Sequence, residues 1–556
     1  MVGVRSPMPG VIYPPEDSLG RYVREGCLTE ETLAGALMQS LEKYGDRIAM
    51  SDADSEMTYA ELDDRSTRFA AALLELGLHP LDRVVFQVVN GFELVVALIA
   101  CWKADLIPVC TLAAHRDKEI SYLADHAGAK AHFIGVENNF NFVDFAASIK
   151  AKTPSLQHTV ILRGDGPSDL PHMEAMIAAQ DPEEARIRID KIERDPYQVT
   201  MFQLSGGTTS IPKIIPRFSN EYLYNLRSVG EWFAYTENDV FFAPLQIIHN
   251  AGMIFMFPLL LRGAQFVVGA TLDPQAALSI LMKKKPTVFA MGSAPLQRIK
   301  EFDVVKMLDL DDVRFVFSPN CAEKTEEVLG VPGVQIFGMT EGTIMLGRPE
   351  DPAEMRYQTV GRPISDWDEV RIVAPGTEDD VEPGEVGEFI ARGPYTFHGY
   401  YDAEERNREA LTSDGFYRSG DLMAAHRVDG AVYYSFEGRI KDIVSRGAEK
   451  INCEEVETAA RRHPQIADIA IVAMPDPVYD ERACAFIIPA ADGNAPDVKD
   501  LMEFLVAEGL AKFKSPERIE VVAEFPQTDS GKLSKPKLKQ TIIDILDKEQ
   551  AASPAA

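Results

Sequence analysis

Residues 200–217 read TMFQLSGGTTSIPKIIPR, and this is the segment whose residue types and spacing say most about chemistry. An apolar run leads into Ser205, Gly206, Gly207, Thr208 and Thr209, and Lys213 follows. Glycines let backbone N–H groups approach an anion closely. Hydroxyls add short donors, and a lysine adds a mobile positive charge. That composition suits a polyphosphate. It is not the common P-loop, in which the lysine leads straight into a helix. Here Ile214, Ile215 and Pro216 follow Lys213, and proline continues a helix poorly. The expected order is therefore strand, loop, strand, then a helix starting after Ser219. Taken alone, the same residues would also suit a flexible surface hairpin.

Four further segments bear on that choice. Phe337-Gly338-Met339-Thr340-Glu341-Gly342 follows a short extended run. Tyr417-Arg418-Ser419-Gly420-Asp421 follows an aromatic–glycine turn. Glu437-Gly438-Arg439-Ile440-Lys441-Asp442 precedes a run from Ser445 to Ile451 that contains Gly447, and Gln527-Thr528-Asp529-Ser530-Gly531-Lys532-Leu533 lies near the C-terminus. In this order, the set resembles the adenylate-forming superfamily of acyl-CoA synthetases, peptide-synthetase adenylation domains and luciferases. The resemblance runs from about residue 30 to 540. Within the superfamily the chain looks most similar to the stand-alone aryl-acid AMP ligases, whose members activate 2,3-dihydroxybenzoate or salicylate for siderophore assembly. Gly393-Pro394-Tyr395 through Gly399-Tyr400-Tyr401, His249-Asn250 and Phe525-Pro526-Gln527-Thr528 support it.

The resemblance implies a mechanism and assigns its parts. A carboxylate is a poor electrophile, and ATP makes it reactive as a mixed anhydride with AMP, with pyrophosphate released. Charge builds at the α-phosphorus, so both reactants must be held and that charge stabilised. Ser205, Gly206, Gly207, Thr208, Thr209 and Lys213 would cradle the outer phosphates. Glu341, beside Thr340, would hold Mg²⁺, a hard cation that prefers oxygen ligands. Phe337 would stack on adenine, and Gly338 would leave room for the ring. Asp421 would bind the ribose hydroxyls, and Arg439 the ribose or phosphate. Lys532 would be catalytic, bridging the attacking carboxylate and the α-phosphate. Lys441 would be the hinge about which a small domain rotates, withdrawing Lys532 and bringing the Gly447 loop to line a pantetheine tunnel. The family usually has two glycines there. This chain has Gly447-Ala448, and the added methyl would narrow the tunnel.

For the acid, the resemblance points to Asn250, with Ala251 and Phe255 after it and Ser318 and Ile344 on other walls, while His249 before it joins Lys532, Glu341 and Thr340 as an expected catalytic residue. In dihydroxybenzoate ligases a tyrosine usually follows the asparagine, and a serine lies five residues after it. Ala251 and Phe255 replace them, and Ser318-Pro319-Asn320 replaces a small-residue run. The expected substrate is an aryl acid of altered outline, such as a salicylate, an anthranilate or a hydroxypicolinate, with dihydroxybenzoate less favoured. The expected acceptor is a carrier-protein phosphopantetheine. Free coenzyme A is the alternative, and a non-catalytic adenylate-binding module is an alternative of another class. Motifs alone do not separate these from a luciferase-like oxygenase.

The elements that must position these residues read as an α/β chain. Thr29 with Glu30 and Glu31 suits a helix start, with Leu33, Leu37 and Leu41 on one face and Gly45 at its end. Thr58 and Glu61 form a capping-box pattern. Strands are expected at 83–89, 200–204, 265–269, 287–291 and 313–317, and a helix at 91–103. Strand alternating with helix argues for parallel sheets covered by helices. A loop-rich stretch at 374–387 precedes a small α+β domain, giving expected domains 1–440 and 441–556. Within the latter, 454–462 and 499–508 read as helices, 469–473 and 518–522 as extended. The terminal EQAASPAA is expected to fray.

Composition limits the partners. The 556 residues suit several domains at about 150 residues each, or one large and one small. Fifty-six basic against 86 acidic residues give a net charge of −30, so neither nucleic acid nor an anionic membrane is an expected partner. The longest apolar run, Ala251 to Leu261, is too short to span a bilayer, and the N-terminal residues have no signal-peptide core. The six cysteines form no metal-ligand spacing and read as buried thiols of a reducing cytoplasm. A homodimer stays open as an assembly.

Overall fold

The computed structural model describes residues 2–552 apart from 137–139, 206–211, 270–273, 293–294, 297–298, 301–303, 447–448, 477–478, 491–493, 509, 511 and 529–531. The chain gathers into two compact units. The first comprises Met1–Gly207, Ile211–Glu369 and Ala391–Tyr417, and the second takes in Val370–Ile390 and Arg418–Ala556.

Two helix-covered sheets and a small antiparallel one build the first unit. One sheet runs His158–Arg163, Ala131–Gly135, Arg83–Gln87, Ile107–Val109, Val199–Leu204 and Ile214–Phe218, parallel except for its last pair. The other runs Gly333–Val334, Phe315–Phe317, Val288–Ala290, Val240–Phe242, Gln265–Val267, Ile48–Ser51 and Glu56–Thr58, again parallel until the last pair. Their strands are short and almost wholly buried, as expected of sheets covered on both faces. The third sheet joins Ile336–Met339, Gly342–Leu346 and Arg362–Pro363.

Local chemistry explains many boundaries. The Thr58–Glu61 capping box forms, with Glu61 N donating to Thr58 Oγ1 at 3.1 Å and Thr58 N to Glu61 Oε2 at 2.7 Å. It opens the helix Tyr59–Glu75. The helix expected after Thr29 begins instead at Leu33, because Thr32 supplies the cap: its Oγ1 accepts from Gly35 N at 3.0 Å. The apolar run after Asn250 is a helix, Asn250–Leu260, buried nearly all round. Gly252 lets it pack hard against the preceding loop, since a Cβ there would lie 2.2 Å from Gln246 O.

A four-stranded sheet lies mostly in the second unit, Glu369–Val373, Gly387–Arg392, Tyr417–Val428 and Ala431–Arg439 in order, its last pair antiparallel. A five-stranded sheet follows, built from residues 443–521 and packed with the helices Cys453–Ala460, Val498–Ala507 and Lys535–Ala552. The expected fraying of EQAASPAA is corrected for its first half: the last helix continues to Ala552, and Glu549 Oε1 pairs with Arg518 Nη2 at 2.7 Å. Residues 553–556 lie outside the described residues. All six cysteines are buried thiols. Among the described residues no helix is long and apolar enough to cross a membrane.

Candidate active site

The glycine–hydroxyl loop leaves the strand Val199–Leu204 and returns into Ile214–Phe218, so strand, loop, strand, helix is the observed order. Its base is closed twice. Ser205 N donates to Lys213 O, and Lys213 N donates to Ser205 Oγ, each at 3.0 Å. Gly206, Gly207, Thr208 and Thr209 lie outside the described residues. Lys213 Nζ sits 4.2 Å from the Tyr400 ring centroid, a cation–π contact.

Thr340 and Glu341 form the turn between Ile336–Met339 and Gly342–Leu346. Three hydrogen bonds hold this turn. Tyr400 OH donates to Glu341 Oε1 at 2.9 Å, Phe397 N donates to Glu341 O at 2.6 Å, and Arg217 Nη1 donates to Thr340 O at 2.7 Å. Burial, reinforced by the Glu341 charge, pushes the Tyr400 phenol well above its ordinary value, so it stays a neutral donor. Gly342 admits no side chain, because a Cβ would stand 2.7 Å from Thr396 Cα. Tyr400 thus touches both Lys213 and Glu341. Among the described residues no group of three His, Cys, Asp or Glu could hold a metal alone. A carboxylate presented singly on a turn fits Mg²⁺, which is usually held by one or two carboxylates together with substrate phosphates.

Arg217 is 0% exposed, and its guanidinium is fully engaged. Nε and Nη2 donate to the two carboxylate oxygens of Glu221, each at 2.8 Å. Nη2 also donates to Tyr395 O at 3.1 Å. Glu221 Oε1 accepts from Phe218 N at 2.9 Å, which fixes the strand-to-helix junction at Ser219. A bidentate buried pair of this kind is rigid as well as charged.

The acid-pocket candidates gather on the helix Asn250–Leu260 and two neighbouring strands. His249 caps that helix, its Nδ1 accepting from Ala251 N at 3.2 Å. Asn250 is 4% exposed, and its Oδ1 accepts from Tyr222 OH at 2.9 Å. Phe255 is buried against Phe317, ring centroids 4.7 Å apart, and against Phe241 at 6.5 Å. Ala251 is half-buried. Ser318 is buried, with its N–H donating to Val334 O at 2.9 Å. Ile344 stands opposite Gly338 in the strand register. A Cβ on Gly338 would meet Ile344 Cγ1 at an ordinary 3.6 Å, and Phe337 beside it is half-buried.

In the second unit, Asp421 and Arg439 are register partners on adjacent strands, with Arg439 Nε 3.0 Å from Asp421 Oδ1. Gly420 enters Asp421 with φ +71°, a conformation that favours glycine. Lys532 lies close enough to this pair to feel both charges. Surrounding protein and the Arg439 guanidinium push its ammonium below the usual lysine range, while Asp421 opposes them, and the residue still keeps solvent access. The base of the Lys532 loop is closed like that of the glycine–hydroxyl loop. Thr528 N donates to Lys532 O at 2.7 Å, and Lys532 N donates to Thr528 Oγ1 at 3.2 Å. Three residues on, Lys535 Nζ pairs with the buried Glu457 at 2.8 Å and pins the loop to the helix Cys453–Ala460. Lys441 falls in the short helical turn after Arg439, and Gly447 lies outside the described residues.

The structure therefore brings together Ser205 with Lys213, Thr340 with Glu341, and Asp421 with Arg439 and Lys532. Sequence reasoning missed Arg217, Glu221, Tyr222 and the role of Tyr400. Arg217 and Glu221 stand four apart across a strand–helix junction, a spacing that signals an ion pair. Tyr222 carries no such mark.

Residues 37–401 match the family model described as AMP-binding enzyme, and 455–532 match the AMP-binding enzyme C-terminal domain. The chain is 35% identical over 543 residues to the 2,3-dihydroxybenzoate-AMP ligase of Bacillus subtilis, covering 96% of this chain and 97% of that one. It is 37% identical over 537 residues to the pyochelin synthase PchD of Pseudomonas aeruginosa, covering 95% of each. Among solved structures, MbtA of Mycobacterium smegmatis in its apo form matches with a TM-score of 0.72 at 30% identity, over 96% of this chain and 98% of the other. The order of the motifs, the paired loop closures and these matches agree: the chain belongs to the AMP-binding enzyme family.

Proposed function

We infer that the protein activates an aryl carboxylic acid with ATP to an aryl-AMP, releases pyrophosphate, and passes the acyl group to a thiol. The observation that carries this reading is the Asp421–Arg439 pair on adjacent strands, Nε 3.0 Å from Oδ1, with the closed loop of Lys532 near enough to feel both charges. A mobile ammonium beside a diol acceptor and a guanidinium suits a ribose and an α-phosphate. Lys213 and Ser205 at the loop base would hold the outer phosphates. Glu341, kept in place by Tyr400, would hold Mg²⁺, whose chemistry is to neutralise phosphate oxygens. Phe337 and Gly338 would frame the adenine. His249 is assigned to presenting Asn250 and Ala251 through its cap. We propose residues 1–440 as the binding core and 441–556 as the moving part, with Lys441 as hinge and Gly447 on the thiol path.

The aryl assignment is supported by those relatives whose names give a hydroxylated benzoate, 2,3-dihydroxybenzoate-AMP ligases and salicyl-AMP ligases, and by the aromatic packing at Phe255. Ala251 and Phe255 favour an acid shaped differently from 2,3-dihydroxybenzoate, with salicylate, anthranilate and hydroxypicolinate as the leading candidates. A carrier-protein phosphopantetheine is the proposed acceptor, with coenzyme A as the second reading. Six buried thiols suit a cytoplasmic location.

The experiment is ATP–pyrophosphate exchange across a panel of aryl, fatty and amino acids, followed by acyl transfer to each thiol. Aryl acids should lead the panel, and a fatty or amino acid in first place would overturn the assignment. Ala251→Tyr should shift the ranking toward smaller acids, since it fills space at the first turn of the pocket helix. An unchanged ranking would show that this wall lies elsewhere.

A further inference from the structure

We propose that Tyr222 is a positioning residue for acid recognition: its hydroxyl turns the Asn250 amide so that the N–H groups, not the carbonyl oxygen, are offered to the carboxylic acid. The proposal rests on reading Asn250 as acid-binding.

An asparagine amide has two nearly isosteric faces, one accepting and one donating. A carboxylate, or an ortho oxygen on the ring, needs donors. Rotated by half a turn, Asn250 would present an acceptor to an acceptor and repel the substrate. Some group must choose the orientation, and it must be a donor aimed at Oδ1. Tyr222 OH meets that requirement at 2.9 Å. The phenol is fully buried, and burial pushes it well above its ordinary value, so it keeps its proton across the working pH range.

Tyr222 is itself held. The Arg217 guanidinium lies 5.0 Å from its ring centroid, and the preceding residue, Glu221, chelates that guanidinium. Arg217 in turn holds the carbonyl of Thr340, next to Glu341. One run of six residues, Arg217 to Tyr222, therefore anchors both the acidic turn and the amide on the pocket helix. In-line attack needs the two reactants in fixed register, and a shared rigid anchor supplies it.

The test uses whichever acid the wild-type protein exchanges best in the panel above. Tyr222→Phe keeps the ring and removes the donor. It should lower kcat/KM for the acid about tenfold, through KM, while KM for ATP and the thermal midpoint stay near wild type. Added to Asn250→Ala, the same change should have no further effect on kcat/KM, because the amide it orients is gone. A role in packing alone would cost the same factor in both backgrounds and would move ATP and stability as well. An unchanged acid KM in Tyr222→Phe, an equal loss in the Asn250→Ala background, or an Asn250→Ala protein with wild-type acid kinetics would each overturn the proposal. A panel led by fatty or amino acids would sink the aryl reading instead, and the Tyr222 comparison would go forward with that acid.

Discussion

Lys532→Ala should lower aryl-AMP formation by at least about 100-fold, the scale of losing one preorganised charge at a transition state. Transfer from preformed aryl-AMP to the thiol should survive largely intact, because the proposed hinge withdraws Lys532 before that step. Pyrophosphate exchange measures the first half-reaction, and single-turnover transfer from synthetic aryl-AMP measures the second. Equal loss of both would contradict the division of labour. The pH profile supplies a second reading. The ammonium is the active form, and its pKa is pushed down by the surrounding protein and by Arg439. Adenylation should therefore fall as pH rises through a value below that of an ordinary lysine. The transfer step from preformed aryl-AMP should not share that particular limb.

Arg217→Met should be the most damaging substitution away from the reacting groups. It leaves the Glu221 carboxylate buried without its guanidinium, and it strips donors from Thr340 O and Tyr395 O. Breaking a buried pair by removing one partner costs about 3–5 kcal/mol. Adding Glu221→Leu should recover part of that stability, since the orphaned charge disappears with it. Exchange activity should not recover, because the Thr340 carbonyl stays unheld and the Glu341 turn loses its support. Denaturant unfolding read beside exchange at varied ATP and Mg²⁺ separates the two. If activity returns with stability, Arg217 contributes packing only.

These two residues differ in how visible they are from the chain alone. Lys532 announces itself: it stands sixth in a seven-residue motif whose glycine and hydroxyls already specify a tight loop. Arg217 sits in plain sight after Pro216 with Glu221 four residues on, yet the two carbonyls it also holds are 123 and 178 positions away. The helix that begins at Leu33 shows a smaller ambiguity. Thr29 and Thr32 are both adequate caps before a leucine-rich face, and only the formed hydrogen bond to Gly35 chooses between them. The C-terminal tail misleads for the opposite reason. Its composition is that of a frayed end, but Arg518, on a strand 31 positions earlier, pairs with Glu549 within the terminal helix.

What the sequence determined by itself was most of what depends on near neighbours, the Thr32 cap and the Arg217–Glu221 pair excepted. The alternation of strands and helices, the capping box at Thr58, the strand–loop–strand–helix order around Ser205 and Lys213, and the family's motifs in their order all follow from residues a few positions apart. What only the tertiary structure decided was which side chains orient those motifs. Tyr400 reaches Glu341 across 59 positions, and Tyr222 reaches Asn250 across 28. Hydrogen bonds are short and directional, so such a pairing exists only where the topology brings two particular atoms within about 3 Å, and no local period records it.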